Sequence, residues 1–197
     1  MTESIRTFIA VTLDESVKEI IKALVDNFKT LNLDLKWVEI KNIHLTLKFL
    51  GDVSPEKIEK TTSILKECLS DIKPIATHLT SLGTFPPHRN PRVFWIGLDD
   101  SKRNLTQLAE KLEGKLGSIG FAPEERDFKA HVTLARIKSM KNMSLFQQKI
   151  ETFRLPEQTF TLKDIVLFKS VLTPTGPIYE PIQTFHLPTT AEFDEQS

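Results

Sequence analysis

The sequence predicts an α+β fold of two similar lobes, with largely antiparallel sheets facing a central cleft and helices outside. Two tetrapeptides, His44-Leu-Thr-Leu and His131-Val-Thr-Leu, each place a histidine and a threonine two residues apart, with apolar residues at the alternate positions. Because side chains alternate between the faces of a strand, the histidine and threonine of each tetrapeptide share one polar face. Strands buried on both faces of a parallel sheet would instead be continuously apolar. The tetrapeptides therefore favour antiparallel strands with one open face, built twice.

The first half of the chain alternates strands with helices. A β-rich strand is predicted over residues 6–13, and Asp14 is placed to cap the helix that follows, whose apolar residues keep helical spacing. A short extended piece begins at Trp37, and the strand of the first tetrapeptide is predicted over residues 43–50. The pair Ser54-Pro55 then marks the start of a second helix, with serine at the cap and proline at the first helical position.

The second half repeats this alternation. Its predicted elements are, in order, strands 74–85 and 92–98, a third helix capped by Asp99, Asp100 or Ser101, the strand 128–137, a shorter helix 142–153, and strands near 158–171 and 178–187. Residues 1–187 are expected to form a single two-lobed domain. The polar and acidic segment 188–197 is expected to be frayed.

Composition narrows the class of protein. The 26 basic and 26 acidic residues balance, which argues against a broad footprint for duplex nucleic acid but is compatible with a small basic pocket. The single cysteine, Cys68, excludes an internal disulfide and a cysteine zinc cluster, and we expect it to be buried on a helix. No run approaches the ~18 apolar residues of a membrane span. We expect a cytoplasmic monomer with no membrane partner.

The two polar faces suit displacement at phosphorus when they face a shared cleft. Histidine takes or gives a proton near neutrality because its ordinary pKa is about 6.5. Two imidazoles in opposite protonation states supply a base and an acid for one displacement, and the residues alone do not say which is which. Threonine hydroxyls can donate to phosphate oxygens that gain charge in the transition state. We therefore interpret His44, Thr46, His131 and Thr133 as the catalytic set.

Basic residues near both tetrapeptides are candidate substrate contacts. Lys48 lies four positions after His44, and Lys129 lies two positions before His131, so strand alternation places each on the face of its histidine. Arg92 and Arg126 stand at predicted strand entrances, where a guanidinium could bind a phosphate through two hydrogen bonds. We predict that Lys48, Arg92 and Arg126 bind the substrate.

A metal site is the nearest rival to the histidine pair as a source of chemistry, and it fits the residues less well. Neither tetrapeptide carries a cysteine or carboxylate at ligand spacing, and threonine is a poor zinc ligand. We therefore predict no metal and no other cofactor. The sequence has neither a serine-nucleophile motif nor a phosphate-binding glycine loop. We interpret His78, His88 and His186 as structural or solvated, and the aromatic residues as core, with one or two at the cleft rim able to stack a base.

The paired tetrapeptides resemble the two-histidine phosphoesterase superfamily, which is marked by two His-x-Thr/Ser-x motifs. Within it, the chain resembles the RNA 2′,3′-cyclic phosphodiesterases, also called 2′-5′ RNA ligases. Five segments carry the resemblance in the family's order: Arg6-Thr-Phe-Ile-Ala, residues 42–51, residues 91–97, residues 126–136, and Gly176-Pro-Ile-Tyr179. Ala130 departs from the proline that this family often has before the second histidine, which predicts a less rigid strand entry.

The resemblance implies two lobes related by a pseudo-two-fold axis and metal-independent hydrolysis of a 2′,3′-cyclic phosphate on an RNA or nucleotide end to a 2′-phosphate. Reversible 2′-5′ ligation of cleaved transfer RNA halves is implied as well. The implied roles are His131 as the base that activates water, His44 as the acid that protonates the 3′ oxygen, Thr46 and Thr133 as holders of phosphate oxygens, and Arg92 and Arg126 as substrate contacts. Two alternatives stay open: a different phosphodiester substrate, such as 2′-5′-linked oligonucleotides, and a catalytically idle RNA- or nucleotide-binding module.

Overall fold

Nine strands alternate with four α-helices along residues 4–87, 90–174 and 176–188, which a computed structural model describes. The strands are β1 Ile5–Thr12, β2 Leu35–Trp37, β3 His44–Val53, β4 Ile75–Phe85, β5 Val93–Leu98, β6 His131–Ile137, β7 Thr159–Leu162, β8 Asp164–Leu172 and β9 Pro177–His186. The helices are α1 Glu15–Lys29, α2 Pro55–Leu69, α3 Asn104–Gly117 and α4 Met143–Thr152, and a 3₁₀ turn, Ile40–Asn42, precedes β3.

The helix starts follow the predicted signals with one exception. The Ser54 hydroxyl accepts a hydrogen bond from the Lys57 amide at 3.3 Å, and a proline begins α2 as predicted. The Asp100 carboxylate accepts from two of the first amides of α3, at 2.8 and 2.9 Å. Asp14 precedes α1, but its side chain makes no capping bond and lies instead 3.3 Å from the Lys163 ammonium. Asp14 therefore occupies the predicted N-cap position without the expected side-chain hydrogen bond.

The strands form one antiparallel sheet in the order β7-β4-β5-β6-β3-β1-β8-β9, with β2 paired to β6. The two central strands, β3 and β6, pair through Leu45 and Val132, and β6 continues against β2 instead. This divergence splits the sheet into a first lobe (β3, β1, β8, β9) and a second lobe (β2, β6, β5, β4, β7). The α+β class and the antiparallel pairing are confirmed, and the two predicted sheets are joined at their centre.

The structure has two strands, β7 and β8, where the sequence predicted one. The single strand expected near residues 158–171 is interrupted at Lys163. The first piece, β7, pairs with β4 in the second lobe, whereas β8 pairs with β1 in the first lobe. The break therefore lets the chain cross from one lobe to the other.

The helices lie on the face of the sheet opposite the cleft. Helices α2 and α3 contact each other and the strands of the first lobe. Helices α1 and α4 cover the second lobe, where Phe28 of α1, Phe94 of β5 and Phe146 of α4 meet with ring centroids 4.8 to 5.9 Å apart. The apolar residues of both tetrapeptides are buried in the hydrophobic core between the sheet and the helices. Cys68 of α2 is buried in the same core, as predicted.

None of the helices in the described part of the chain combines the length and apolarity that crossing a membrane requires. His88 and residues 189–197 of the predicted frayed tail lie outside the described residues. His78 is exposed. His186 is also exposed, and its Nδ1 atom forms a hydrogen bond with the Asp164 carboxylate at 2.7 Å.

Candidate functional site

A cavity of about 410 Å³ opens between the lobes on the polar face of the sheet. His44 and Thr46 of β3 and His131 and Thr133 of β6 all line it. Alternation within each strand places the histidine and threonine on this face, and the single pairing of β3 with β6 places the two strands side by side. The structure therefore brings the four predicted catalytic residues into one site.

Both imidazoles are held in the same way. The Nδ1 atom of His44 lies 2.7 Å from the Asn42 carbonyl oxygen, and the Nδ1 atom of His131 lies 2.7 Å from the Lys129 carbonyl oxygen. Because a carbonyl oxygen only accepts, each Nδ1 carries the proton and donates it. Each neutral ring therefore has an unprotonated Nε2, which can accept a proton within the cleft.

The first histidine lies in an aromatic setting. Its ring centroid is 4.9 Å from that of Phe8 and 5.3 Å from that of Tyr179, which meets it edge-on. Burial lowers the pKa of His44 below its ordinary value, the hydrogen bond to Asn42 raises it in part, and the neighbouring His131 lowers it further. His44 is therefore biased toward its neutral form.

The second histidine lies against a different aromatic wall. The Phe85 ring meets His131 edge-on at 5.0 Å and stacks on Trp95 at 5.1 Å. The indole lies so close to the backbone of β4 that a Cβ on Gly83 would come within 2.3 Å of it, so only glycine fits there. Burial lowers the pKa of His131, the bond to the Lys129 carbonyl raises it in part, and the charge of Lys129 lowers it further.

Lys48 is not in the cavity. The ladder between β1 and β3 pairs Ile9 with Lys48 but Ala10 with Thr46, so Leu47 is an extra, bulged residue. The bulge shifts the alternation by one, and Lys48 joins the core face beside the buried Ile9. The prediction that Lys48 shares the face of His44 is therefore wrong.

The Lys48 side chain is 2% exposed and forms a buried ion pair. Its ammonium donates to a Glu113 carboxylate oxygen at 2.7 Å and to the Ala122 carbonyl at 3.0 Å. The other Glu113 oxygen accepts from the Glu124 amide at 3.0 Å, and a Glu124 carboxylate oxygen accepts from the Phe49 amide at 3.3 Å. The network ties β3 to α3 and to the loop before β6, and we do not include Lys48 among the proposed substrate contacts.

The two predicted arginines lie outside this cavity. Arg92 and Arg126 are exposed, and neither belongs to the lining. The Arg92 carbonyl accepts a hydrogen bond from the Ile137 amide at 2.9 Å, next to the end of β6. Their role as substrate contacts stays a prediction.

The cavity lining also includes charged and aromatic residues that the sequence analysis did not single out. Arg6, Lys36 and Arg136 are cations, and Phe49 and Tyr179 are aromatic. Burial raises the pKa of Tyr179, and the charges of Arg136 and Arg6 oppose that rise. Arg6, Arg136 and Tyr179 stand at the ends of three segments that carry the family resemblance, which was the available signal.

A metal centre finds little support in the side chains. Within the described ranges, no three His, Cys, Asp or Glu side chains are grouped so that they could hold a metal ion. Most of the polar groups that line the cavity are imidazoles, hydroxyls, an ammonium and guanidinium groups, which suit an anion, and the Glu39 carboxylate is paired with Lys41.

Comparisons with known proteins agree with this geometry. The family model described as LigT like Phosphoesterase matches twice, over residues 11–95 and 96–179, and each match contains one tetrapeptide. The RNA 2′,3′-cyclic phosphodiesterase of Methanocaldococcus jannaschii is 38% identical over 179 residues, covering 90% of this chain and 98% of that protein. The crystal structure of TT0787 of Thermus thermophilus superposes with a TM-score of 0.78 at 25% identity, over 94% of this chain and 99% of that one. The crystal structure of E. coli LigT complexed with 3′-AMP superposes with a TM-score of 0.73 at 25% identity, over 94% of this chain and 98% of that one.

Proposed function

The chain belongs to the LigT-like phosphoesterase family, and from this premise we propose that it hydrolyses the 2′,3′-cyclic phosphate at an RNA or nucleotide end to a 2′-phosphate, without a metal ion. It is an enzyme of the cyclic phosphodiesterase class, as its relative from M. jannaschii is. The observation that carries the proposal is the matched pair of imidazoles, each with Nδ1 bonded to a carbonyl at 2.7 Å and Nε2 left for the cleft.

His131 is proposed as the base and His44 as the acid. The Nε2 atom of His131 takes a proton from water while the water oxygen forms a bond to phosphorus. The bond between phosphorus and the 3′ oxygen breaks on the opposite side, and protonated His44 gives that oxygen its Nε2 proton. The products are a 2′-phosphate and a 3′ hydroxyl. Proton exchange with solvent then restores both rings.

The opposite protonation states are proposed to arise when the substrate binds. The charge of Lys129 adds to burial in lowering the pKa of His131, which keeps it neutral and able to act as a base. Burial also lowers the pKa of His44. The negative charge of a bound phosphodiester favours the charged imidazolium, so substrate binding supplies the condition under which His44 holds its proton. The Thr46 and Thr133 hydroxyls are proposed to donate to the non-bridging oxygens.

The rest of the cavity suits a nucleotide. Phe49 lines it with 62% of its surface exposed, which offers a face on which a base can stack for about 1–3 kcal/mol. Arg136 lies three residues beyond Thr133 on the same strand and is a candidate for a phosphate contact. That a related structure, E. coli LigT, is complexed with 3′-AMP supports a nucleotide in this cleft.

Ligation would be the same displacement with a different nucleophile. We propose that a 5′ hydroxyl of a second RNA can take the place of water and open the cyclic phosphate into a 2′-5′ linkage. Incubation of a strand ending in cyclic phosphate with a 5′-hydroxyl strand, followed by a search for a joined product that resists 3′-5′-specific nucleases, tests this extension. A wild-type reaction that makes no joined product contradicts it.

The test of the main proposal identifies the product end. Purified protein is incubated with EDTA and an oligoribonucleotide that ends in a 2′,3′-cyclic phosphate. A 2′-phosphate is expected, and it should disappear in His44→Ala and in His131→Ala. A 3′-phosphate would reverse which oxygen leaves, and an EDTA-dependent loss restored by zinc would support a metal. Binding without turnover would favour another phosphodiester substrate or the binding module.

A further inference from the structure

Two cations face each other across β2 and β6 at the edge of the cleft. Lys36 and Arg136 are directly paired in the antiparallel ladder. Their neighbours Leu35 and Trp37 pack on the core, and Ala135 and Ile137 are buried in it. Alternation therefore turns both Lys36 and Arg136 to the cleft, and both line the cavity.

This pair of like charges is unfavourable by itself. Like charges directly opposite each other on adjacent strands repel, so such a pair weakens the ladder. Within residues 4–87, 90–174 and 176–188, no carboxylate forms an ion pair with Lys36 or Arg136. The acidic side chain of the cavity lining, Glu39, already pairs with Lys41 at 2.8 Å. A departure from favourable pairing at a cavity wall points to a ligand that removes the repulsion, and here that ligand is an anion.

The pair lies apart from the reacting phosphate. Arg136 is three residues beyond Thr133, a distance of about 10 Å along a strand, and Lys36 lies directly opposite Arg136 on β2. Both cations are therefore displaced from the imidazoles toward the end of β6. An anion held by Lys36 is therefore a second one, separate from the phosphate between the histidines.

We propose that Lys36 binds the internal phosphate at the 5′ side of the terminal nucleotide, so that the preferred substrate is an oligoribonucleotide end and not a nucleoside cyclic phosphate. This inference rests on the proposed function for the identity of the first phosphate. The chain carries no net charge, so its affinity for a strand depends on local cations such as this pair and not on a broad basic surface.

Two nucleotides that differ only in the second phosphate test the inference. The dissociation constants of adenosine 2′-phosphate and adenosine 2′,5′-bisphosphate are measured by calorimetry at several salt concentrations. The proteins are wild type, Lys36→Gln, Lys36→Arg and the control Lys60→Gln, which removes the charge of an exposed lysine on α2. Thermal unfolding checks that each variant is folded.

Lys36→Gln is expected to weaken binding of the bisphosphate about fivefold, the upper end for an exposed ion pair, and to leave that of the monophosphate within a factor of about two. The affinity of Lys36→Gln for the bisphosphate should also depend less on salt than that of the wild type, because salt screens the ion pair that the variant lacks. Lys36→Arg and Lys60→Gln should bind both nucleotides as the wild type does.

Two outcomes overturn the inference. Equal weakening of both nucleotides would place Lys36 at the reacting phosphate, and unchanged binding of both would make it a solvated charge. Turnover of an oligoribonucleotide cyclic phosphate is measured in parallel. Absence of turnover with the expected binding difference would contradict the proposed function and leave the second phosphate site standing.

Discussion

The two tetrapeptide strands share one backbone plan. In β3 the ladder with β1 skips Leu47, and in β6 the ladder with β5 skips Leu134, so each strand is bulged directly after its histidine-threonine pair. Each histidine bonds the carbonyl two residues before it at the same distance. The repeat supplies two similarly held imidazoles in one cavity, which the proposed displacement uses as a base and an acid.

The strands differ in the two residues after the bulge. The core-facing position holds Lys48 in the first lobe and Ala135 in the second. The cleft-facing position holds Phe49 in the first lobe and Arg136 in the second. One lobe therefore presents an aromatic face and the other a cation at equivalent places. In the proposed reaction, the shared backbone positions the groups that act on the phosphate, and the departure from symmetry gives the nucleotide a direction in the cleft.

The supports of the two histidines also differ. Before His44, the Asn42 side chain is largely buried and donates a hydrogen bond to the Pro177 carbonyl at 3.1 Å. This bond restrains Asn42, whose own carbonyl accepts the hydrogen bond from His44. Before His131, the equivalent residue is the exposed Lys129, which contributes a charge instead. This contrast supports the assignment of the base to the second lobe.

The largest expected effect tests whether the two histidines work as one unit. His44→Ala and His131→Ala should each lower kcat by a factor of about 100 or more, because each removes one proton transfer. The kcat of the double variant should be only slightly below that of the less active single variant, since neither ring can complete the displacement alone. Single-turnover rates on a cyclic phosphate end measure this, and strictly multiplicative losses would mean that the lobes act independently.

The next effect concerns the buried ion pair that the second lobe lacks. Glu113→Gln leaves the Lys48 ammonium without its counter-ion, and the free energy of unfolding should fall by about 3 kcal/mol. Lys48→Met should cost less, about 1–2 kcal/mol, because Glu113 is 32% exposed and water can solvate it. The double variant should resemble Lys48→Met.

Urea unfolding measures these losses, with Lys111→Met as the control. Its partner Asp71 is 67% exposed, and an exposed pair contributes less than about 1 kcal/mol. Equal losses in Glu113→Gln and in this control would show that burial does not strengthen the Lys48 pair.

The smallest effect is a shift in a pH profile that distinguishes the two histidines. Lys129→Gln keeps the backbone carbonyl that holds His131 and removes the charge that lowers the pKa of that ring. The pKa of His131 should rise. A base must be unprotonated, so the acid limb of kcat/KM should move to higher pH.

The exposed Lys138, which lies outside the cavity lining, provides the control variant Lys138→Gln. A shift of the basic limb instead would exchange the acid and base roles of the two histidines. Profiles identical to that of the wild type would show that Lys129 does not influence His131.

Sequence reasoning worked where a feature depends on neighbours along the chain. Helix spacing and the Ser54-Pro55 signal located α2, and alternation placed His44 with Thr46 on one face. It was wrong for Lys48 because the bulge at Leu47 arises from the pairing of β3 with β1 and leaves no mark in β3 itself. Lys36 was missed for a related reason, since only the pairing of β2 with β6 sets it opposite Arg136.

The sequence by itself determined the family, the α+β class and two strands that each carry a histidine and a threonine on one face, because a period of two residues is a local property of extended chain. The tertiary structure decided which other side chains meet those residues. It turned Lys48 into the core, Phe49 and Arg136 into the cleft, and brought Tyr179 of β9 against His44. These placements depend on ladder register and on the divergence of β3 from β6, which are set by pairing between distant segments and not by the residues of any one strand.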